Sequence, residues 1–205
     1  VSAEPLFTRK RRSNMAVVSS GVSLSTNYFM NNFYASNRSV IKTSGRSDYT
    51  KLELSYEDSR ALTRAAKRLL KNDYGSDTDE KDKAISDTTR SALTAFIDTY
   101  NNTVDSSKTS TDHDTKYQLK KMKAFLSKHS DDLEHIGVSL ESSGKLSINE
   151  DLLKSAKNSK VRKIFSADQE FSKQFYKMSK KAHAAVESDI YSQINGKGLH
   201  VNISL

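Results

Sequence analysis

Residues 168–194 read DQEFSKQFYKMSKKAHAAVESDIYSQI. Phe171, Phe175, Met178, Ala182, Val186, Ile190 and Ile194 recur at spacings of three and four, which places them on one face of an α-helix. The other positions are mostly charged or polar, so this stripe must be buried against another apolar surface. Three similar stripes lie upstream. Leu62, Ala65, Ala66, Leu69 and Leu70 mark a helix that starts near Ser55, where Ser55-Tyr56-Glu57-Asp58 resembles a capping box with Asp in place of Glu. Asn72, Asp73 and Gly75 end it. Ile85, Thr89, Ala92, Leu93, Phe96, Ile97, Tyr100 and Val104 predict a second helix over residues 80–104. Leu119, Met122, Phe125, Leu126 and Leu133 predict a third over residues 114–135. Asn195-Gly196 is a stop signal for the last helix. Four amphipathic helices bury their stripes by packing on one another, so the expected fold is mainly α, an elongated antiparallel helical bundle.

One segment breaks the helical period. After Gly137, Val138 and Leu140 alternate with Ser139 and Glu141, and Leu146 and Ile148 alternate with Lys145 and Ser147. Ser142-Ser143-Gly144 lies between them, so residues 138–148 read as a small β-hairpin. Asn149 is a good N-cap for a short helix over residues 150–157, and Val161, Ile164 and Phe165 form one more apolar turn. At the end of the chain Leu199, Val201, Ile203 and Leu205 alternate with polar residues, as a strand would. The organisation expected is an irregular N-terminal arm over residues 1–50, then a helical domain over 51–205 with an embedded hairpin and a strand-like tail.

Charge separates these two parts. The chain of 205 residues carries a formal charge of +8, and residues 1–50 hold seven Lys and Arg against two acids. The remainder is nearly balanced, with 26 basic and 23 acidic residues. Arg9-Lys10-Arg11-Arg12 reads as a solvated arm rather than a nucleic-acid patch, since no aromatic residues interleave with it and no helix-turn-helix spacing follows. Met15 follows this run and is the expected biological start. The acidic run at residues 76–82 (Asp77, Asp79, Glu80, Asp82) reads as a solvated complement to the next helix's N-terminal dipole. Hydrophobic residues are 35% and the mean hydropathy is -0.69, yet 8 Phe and 9 Tyr argue against wholesale disorder. No apolar run is long enough to predict a membrane-spanning helix.

Candidate chemistry is sparse. The absence of Cys excludes disulfides, Cys-ligated zinc and a Cys nucleophile. His113, His129, His135, His183 and His200 form no HExxH motif, and His129 and His135 are six apart, on different helix faces. Counting Gly144 as position 6 of a calcium loop puts Glu150 at position 12, but Ser139 and Ser143 stand where carboxylates are needed. The hairpin turn accounts for the same residues without metal. No glycine-rich phosphate loop or Gly-x-Ser-x-Gly elbow occurs, and no Ser is spaced beside a base and an orienting acid. No enzyme activity and no cofactor are expected.

Two stretches together resemble a known family. Residues 95–104 read AFIDTYNNTV, and residues 136–150 read IGVSLESSGKLSINE, continuing through Leu152, Leu153 and Ala156 to Ile164-Phe165. Their order and spacing resemble the C-terminal region of the bacterial flagellar filament-capping (FliD) family, in a shortened form lacking the β-rich outer domains. The resemblance implies a helical, leg-like fold. It also implies a non-enzymatic structural or assembly protein that packs its helices against flagellin or hook-associated subunits, with self-association left open. It implies an extracellular place in the flagellum, reached without a cleaved signal. The alternative is a cytoplasmic helical adaptor or chaperone built on the same module. The candidate partner-packing seam is Phe171, Phe175, Met178, Val186, Ile190 and Ile194; the same stripe could equally close an intramolecular core. Neither a nucleic-acid partner nor a membrane span is expected.

Overall fold

The computed structural model describes Arg46, residues 49–75 and residues 83–197, the last four by backbone alone. The arm other than residues 46, 49 and 50, the acidic run at 76–82 and the strand-like tail lie outside the described residues. Among the described residues seven helices and one two-stranded antiparallel sheet follow in chain order: α1 Lys51–Lys71, α2 Asp87–Lys108, α3 His113–Lys128, α4 Ser130–Glu134, β1 Val138–Leu140, β2 Leu146–Ile148, α5 Glu150–Ser155, α6 Asn158–Phe165 and α7 Glu170–Lys197. The chain is thus mainly helical with one small hairpin.

Helix α1 is flanked by the other two long helices, and both run antiparallel to it. On one side Ser55 Oγ donates to the Ser106 carbonyl and Asn72 Nδ2 donates to Thr89 Oγ1, which fixes α1 against α2. On the other side Thr63 Oγ1 donates to the Ser179 carbonyl, which fixes α1 against α7. Helix α7 has 28 residues and spans about 42 Å at the α-helical rise. Helix α3 packs on its first half. Leu62, Leu69, Leu93, Phe96, Met122, Leu126 and Phe165 meet in one core, and Phe171 and Phe175 insert edge-on or tilted among Phe96, Phe125 and Phe165. Such aromatic pairs add about 0.5–1.5 kcal/mol each beyond their buried area. A second, smaller cluster of Tyr56, Val186 and Ile190 joins the start of α1 to the later turns of α7.

Several boundaries differ from the sequence reading, each for a local reason. Helix α1 begins at Lys51, because Thr50 and Glu53 form the capping box, with Thr50 N–H donating to Glu53 Oε2 at 2.8 Å. Ser55 and Asp58 instead lie buried within the helix. Helix α2 begins at Asp87 behind the N-cap Ser86, because Ala84 bridges Lys157 and the Ile85 N–H donates to the Ala156 carbonyl, and it runs on past Val104 to Lys108. The same bridge ends α5 at Ser155, short of residue 157. The predicted third helix is interrupted at His129, whose backbone leaves the helical region; its ring packs against Phe125 and Phe171, and Ser130 opens α4. The apolar turn at Val161 is a full helix, α6. Helix α7 passes through Asn195 and Gly196 instead of stopping there.

Hairpin register pairs Val138 with Ile148, Ser139 with Ser147 and Leu140 with Leu146. Gly144 turns the chain at φ +87, and its N–H donates to the Glu141 carbonyl. Gly137 enters the hairpin at φ +83 and passes so close to α5 that a Cβ there would lie 2.8 Å from Leu152 Cβ and 2.9 Å from the Asn149 carbonyl oxygen.

Candidate functional site

The most fully specified polar site joins α2 to the hairpin. Tyr100 is fully buried, and its hydroxyl donates to the Gly144 carbonyl at 2.9 Å. Burial pushes the phenol well above its ordinary pKa, so it stays a donor at every physiological pH. The next residue, Asn101, faces β2. Its Nδ2 donates to the Leu146 carbonyl at 2.8 Å and its Oδ1 accepts from the Leu146 N–H at 2.8 Å. One side-chain amide therefore takes the place of a neighbouring strand on the edge of β2. Two lysines complete the clamp. Lys145 pairs with Asp105 at 2.6 Å, and Lys123 Nζ from α3 donates to the Ser142 carbonyl at 3.0 Å. Burial works against the Asp105 carboxylate, but hydrogen bonds from Lys145 and Lys108 outweigh it and hold its pKa below the ordinary value.

These contacts tie together the two sequence stretches singled out above. Tyr100 and Asn101 lie in the first, and Gly144, Lys145 and Leu146 sit in the second. Their joint occurrence has a physical cause, since a helix bearing Tyr-Asn and a hairpin bearing Gly-Lys-Leu are the two halves of one contact. The spacing itself carries no such signal, because the pairs are 44 and 45 residues apart.

Comparison with known proteins adds no relative. No family model matches this chain, and neither a curated protein nor a solved structure matches it.

The candidate packing seam on α7 is not a free face. Phe171, Phe175, Val186 and Ile190 are buried against other helices of the same chain, and Met178 packs partly buried on the main core. Ile194 lies in α7 with its side chain outside the described set. The stripe closes the intramolecular core, as its unbroken apolar character equally allowed.

A second constellation sits in the α1–α7 seam. His183 Nδ1 lies 2.9 Å from Ser59 Oγ, and Nε2 lies 3.7 Å from Glu187 Oε1. The order Ser-His-Glu suggests a nucleophile, base and acid, but the geometry does not serve that chemistry. Ser59 is 1% exposed, and its hydroxyl also reaches the Tyr56 carbonyl at 3.0 Å. If that hydroxyl donates to the carbonyl, its oxygen accepts from His183 Nδ1–H, and Nε2 turns an unprotonated edge toward Glu187. Burial lowers the His183 pKa; Arg60 and Arg64 lower it further, while Glu187 and Glu57 act in the opposite sense. Sequence spacing missed this site because Ser59 and His183 are 124 residues apart.

Elsewhere, a polar depression of about 130 Å³ lies among Lys51, Ser55, Thr109, Asp189 and Gln193, where α1 begins and α2 ends. Among the described residues no three His, Asp or Glu side chains gather as a metal site requires, and no helix is long and apolar enough to cross a membrane.

Proposed function

We propose that this chain is a non-enzymatic structural or assembly protein of the flagellar filament-cap kind, acting as a braced helical leg that packs against flagellin or hook-associated subunits. The observation that carries the reading is the Tyr100–Asn101 clamp on the Gly144–Leu146 turn. It brings the two stretches that carry the resemblance into one spatial unit. The mechanical consequence fits a leg. Three long antiparallel helices share an aromatic core, and the hairpin is held to them by side chains from both α2 and α3. Because the apolar stripe of α7 is engaged inside the chain, partner contact falls to the polar outer faces of the helices. An extracellular place in the flagellum is part of this proposal.

The test is localisation. Flagella sheared from source cells are pelleted, and flagella, medium and cytosol are searched for this protein by mass spectrometry. Enrichment with flagella or medium is the expected result. Exclusive recovery from cytosol, with flagellin found outside, would overturn the reading and leave a cytoplasmic adaptor or chaperone built on the same helical unit.

A further inference from the structure

Asp58 is an acid in a place that does not suit one. It lies in the middle of α1, away from the helix N-terminus where a carboxylate gains from the dipole, and its side chain is 6% exposed. A carboxylate so buried needs a close, well-aligned counter-charge. Arg46 supplies it from outside the helices: Nη1 donates to Asp58 Oδ1 at 2.6 Å and Nη2 to Oδ2 at 2.9 Å. This is a two-pronged fork on both carboxylate oxygens, the geometry that distinguishes Arg from Lys. No other described side chain is hydrogen-bonded to Asp58. The hydrogen bond to Asp58 raises the Arg46 pKa, with further support from the charge of Asp105.

The positions of the two residues imply a reversal of the chain. Asp58 lies about 12 Å along the helix axis from Thr50 at the α-helical rise, yet Arg46 precedes Thr50 by four residues and still reaches it. The Tyr49 N–H donates to the Arg46 carbonyl, which keeps Arg46 close to the start of α1. Asp105, whose field acts on Arg46, also holds Lys145 of the hairpin turn, so the root of the arm lies on the side of the body that carries the clamp.

We propose that Asp58 is a buried receptor for the Arg46 guanidinium, and that this contact anchors the root of the N-terminal arm against α1 rather than letting it extend ahead of the helix. An ordinary surface ion pair would contribute little and would leave both groups content in water. Here one partner is 52% exposed and the other 6%, so losing Arg46 strands a charge that water cannot reach. The arm and the stability of the body are therefore linked.

Trypsin reads the contact directly on the full chain, because cleavage after Arg46 requires its guanidinium to leave Asp58 and enter the protease. In time-resolved digestion followed by mass spectrometry, Asp58→Asn is expected to speed cleavage after Arg46 by about tenfold relative to cleavage after Arg64 within α1, the loss of a charge-assisted pair. Equal relative rates in the two proteins would overturn the proposal. A thermal-unfolding cycle guards against a variant that merely loosens the fold. Arg46→Gln leaves Asp58 buried and unpaired, so it is expected to lower Tm by more than the double variant Arg46→Gln/Asp58→Asn does. A double variant at least as unstable as Arg46→Gln would mean that Asp58 has no need of Arg46, and would likewise overturn it.

Discussion

Two glycines at the hairpin show how differently one residue type can be used. Both have positive φ, +83 at Gly137 and +87 at Gly144. A Cβ on Gly144 would meet only the Lys123 side chain, 3.2 Å from its Cδ, and that flexible stem can move aside. A Cβ on Gly137 would meet the Asn149 carbonyl oxygen and the Leu153 amide nitrogen at 2.9 Å, which are backbone atoms fixed by α5. Gly144→Ala should therefore cost about 1 kcal/mol, from the left-handed conformation alone. Gly137→Ala should cost about 2–4 kcal/mol, since the start of α5 must also move. Urea denaturation of the two variants should rank them in that order, and equal losses would refute the steric account. The stop at Gly137 was legible in the sequence, because a glycine between two periods is a local signal. The roles of Ser55 and Asp58 were not. They only approximate the cap pattern that Thr50 and Glu53 fit in full, and their distant partners, the Ser106 carbonyl and Arg46, show that they are engaged within the helix.

At the scale of elements, α7 carries two opposing demands. Its apolar stripe was plain in the sequence because a 3.6-residue period needs no knowledge of the partner. What the stripe packs on is a tertiary fact, and here it packs on α1, α2 and α3 of the same chain. Phe175→Ala should therefore lower global stability by about 3–5 kcal/mol, whereas the half-buried Met178 should lose less when changed to Ala. If Phe175→Ala instead left chemical denaturation unchanged, the residue would have to serve a partner. Into the same stripe α7 sets His183, facing Ser59 and Glu187 and within the fields of Glu57, Arg60 and Arg64. Burial depresses its pKa in the folded chain, so the unfolded chain takes up a proton first as the pH falls. The stability this neutral imidazole supports is complete above the ordinary histidine value of about 6.5 and is lost below it, through the depressed folded value. Replacing His183 with Gln should flatten the fall in stability below about pH 6.5. A profile as steep as that of the parent would assign the loss to other groups. Helix ends were the least legible elements, and the reason is visible at Ala84 and Lys157. Their bridge starts α2 late and ends α5 early, by pairing backbones that no local pattern connects.

At the scale of the whole molecule, the question is whether hairpin and helices unfold as one body. An isolated two-stranded hairpin with three-residue strands has too few backbone bonds to persist in water. Here β1 and β2 borrow stability from α2 and α3, through Tyr100, Asn101, Asp105 and Lys123. The buried Leu146 and Val138 side chains join the main core as well. The hairpin amides should then exchange with solvent only as rarely as those of α2, at the free energy of global unfolding. Asn101→Ala removes both bonds to the Leu146 backbone, at about 1–3 kcal/mol in all. Tyr100→Phe removes only the hydroxyl that reaches Gly144. If the clamp couples the two parts, hydrogen exchange in the Asn101→Ala variant should quicken about 10- to 100-fold across residues 138–148, and change less in the middle of α1. Tyr100→Phe should act in the same direction, centred on residues 141–145. Uniform quickening across the chain would mean that the hairpin never opens alone and that core packing, not the polar clamp, binds it to the body. Unchanged exchange would mean that the clamp bonds contribute nothing to its persistence. The expected outcome is local opening, because the bonds at Leu146 are made at the strand edge, where water can replace Asn101 once its amide is gone.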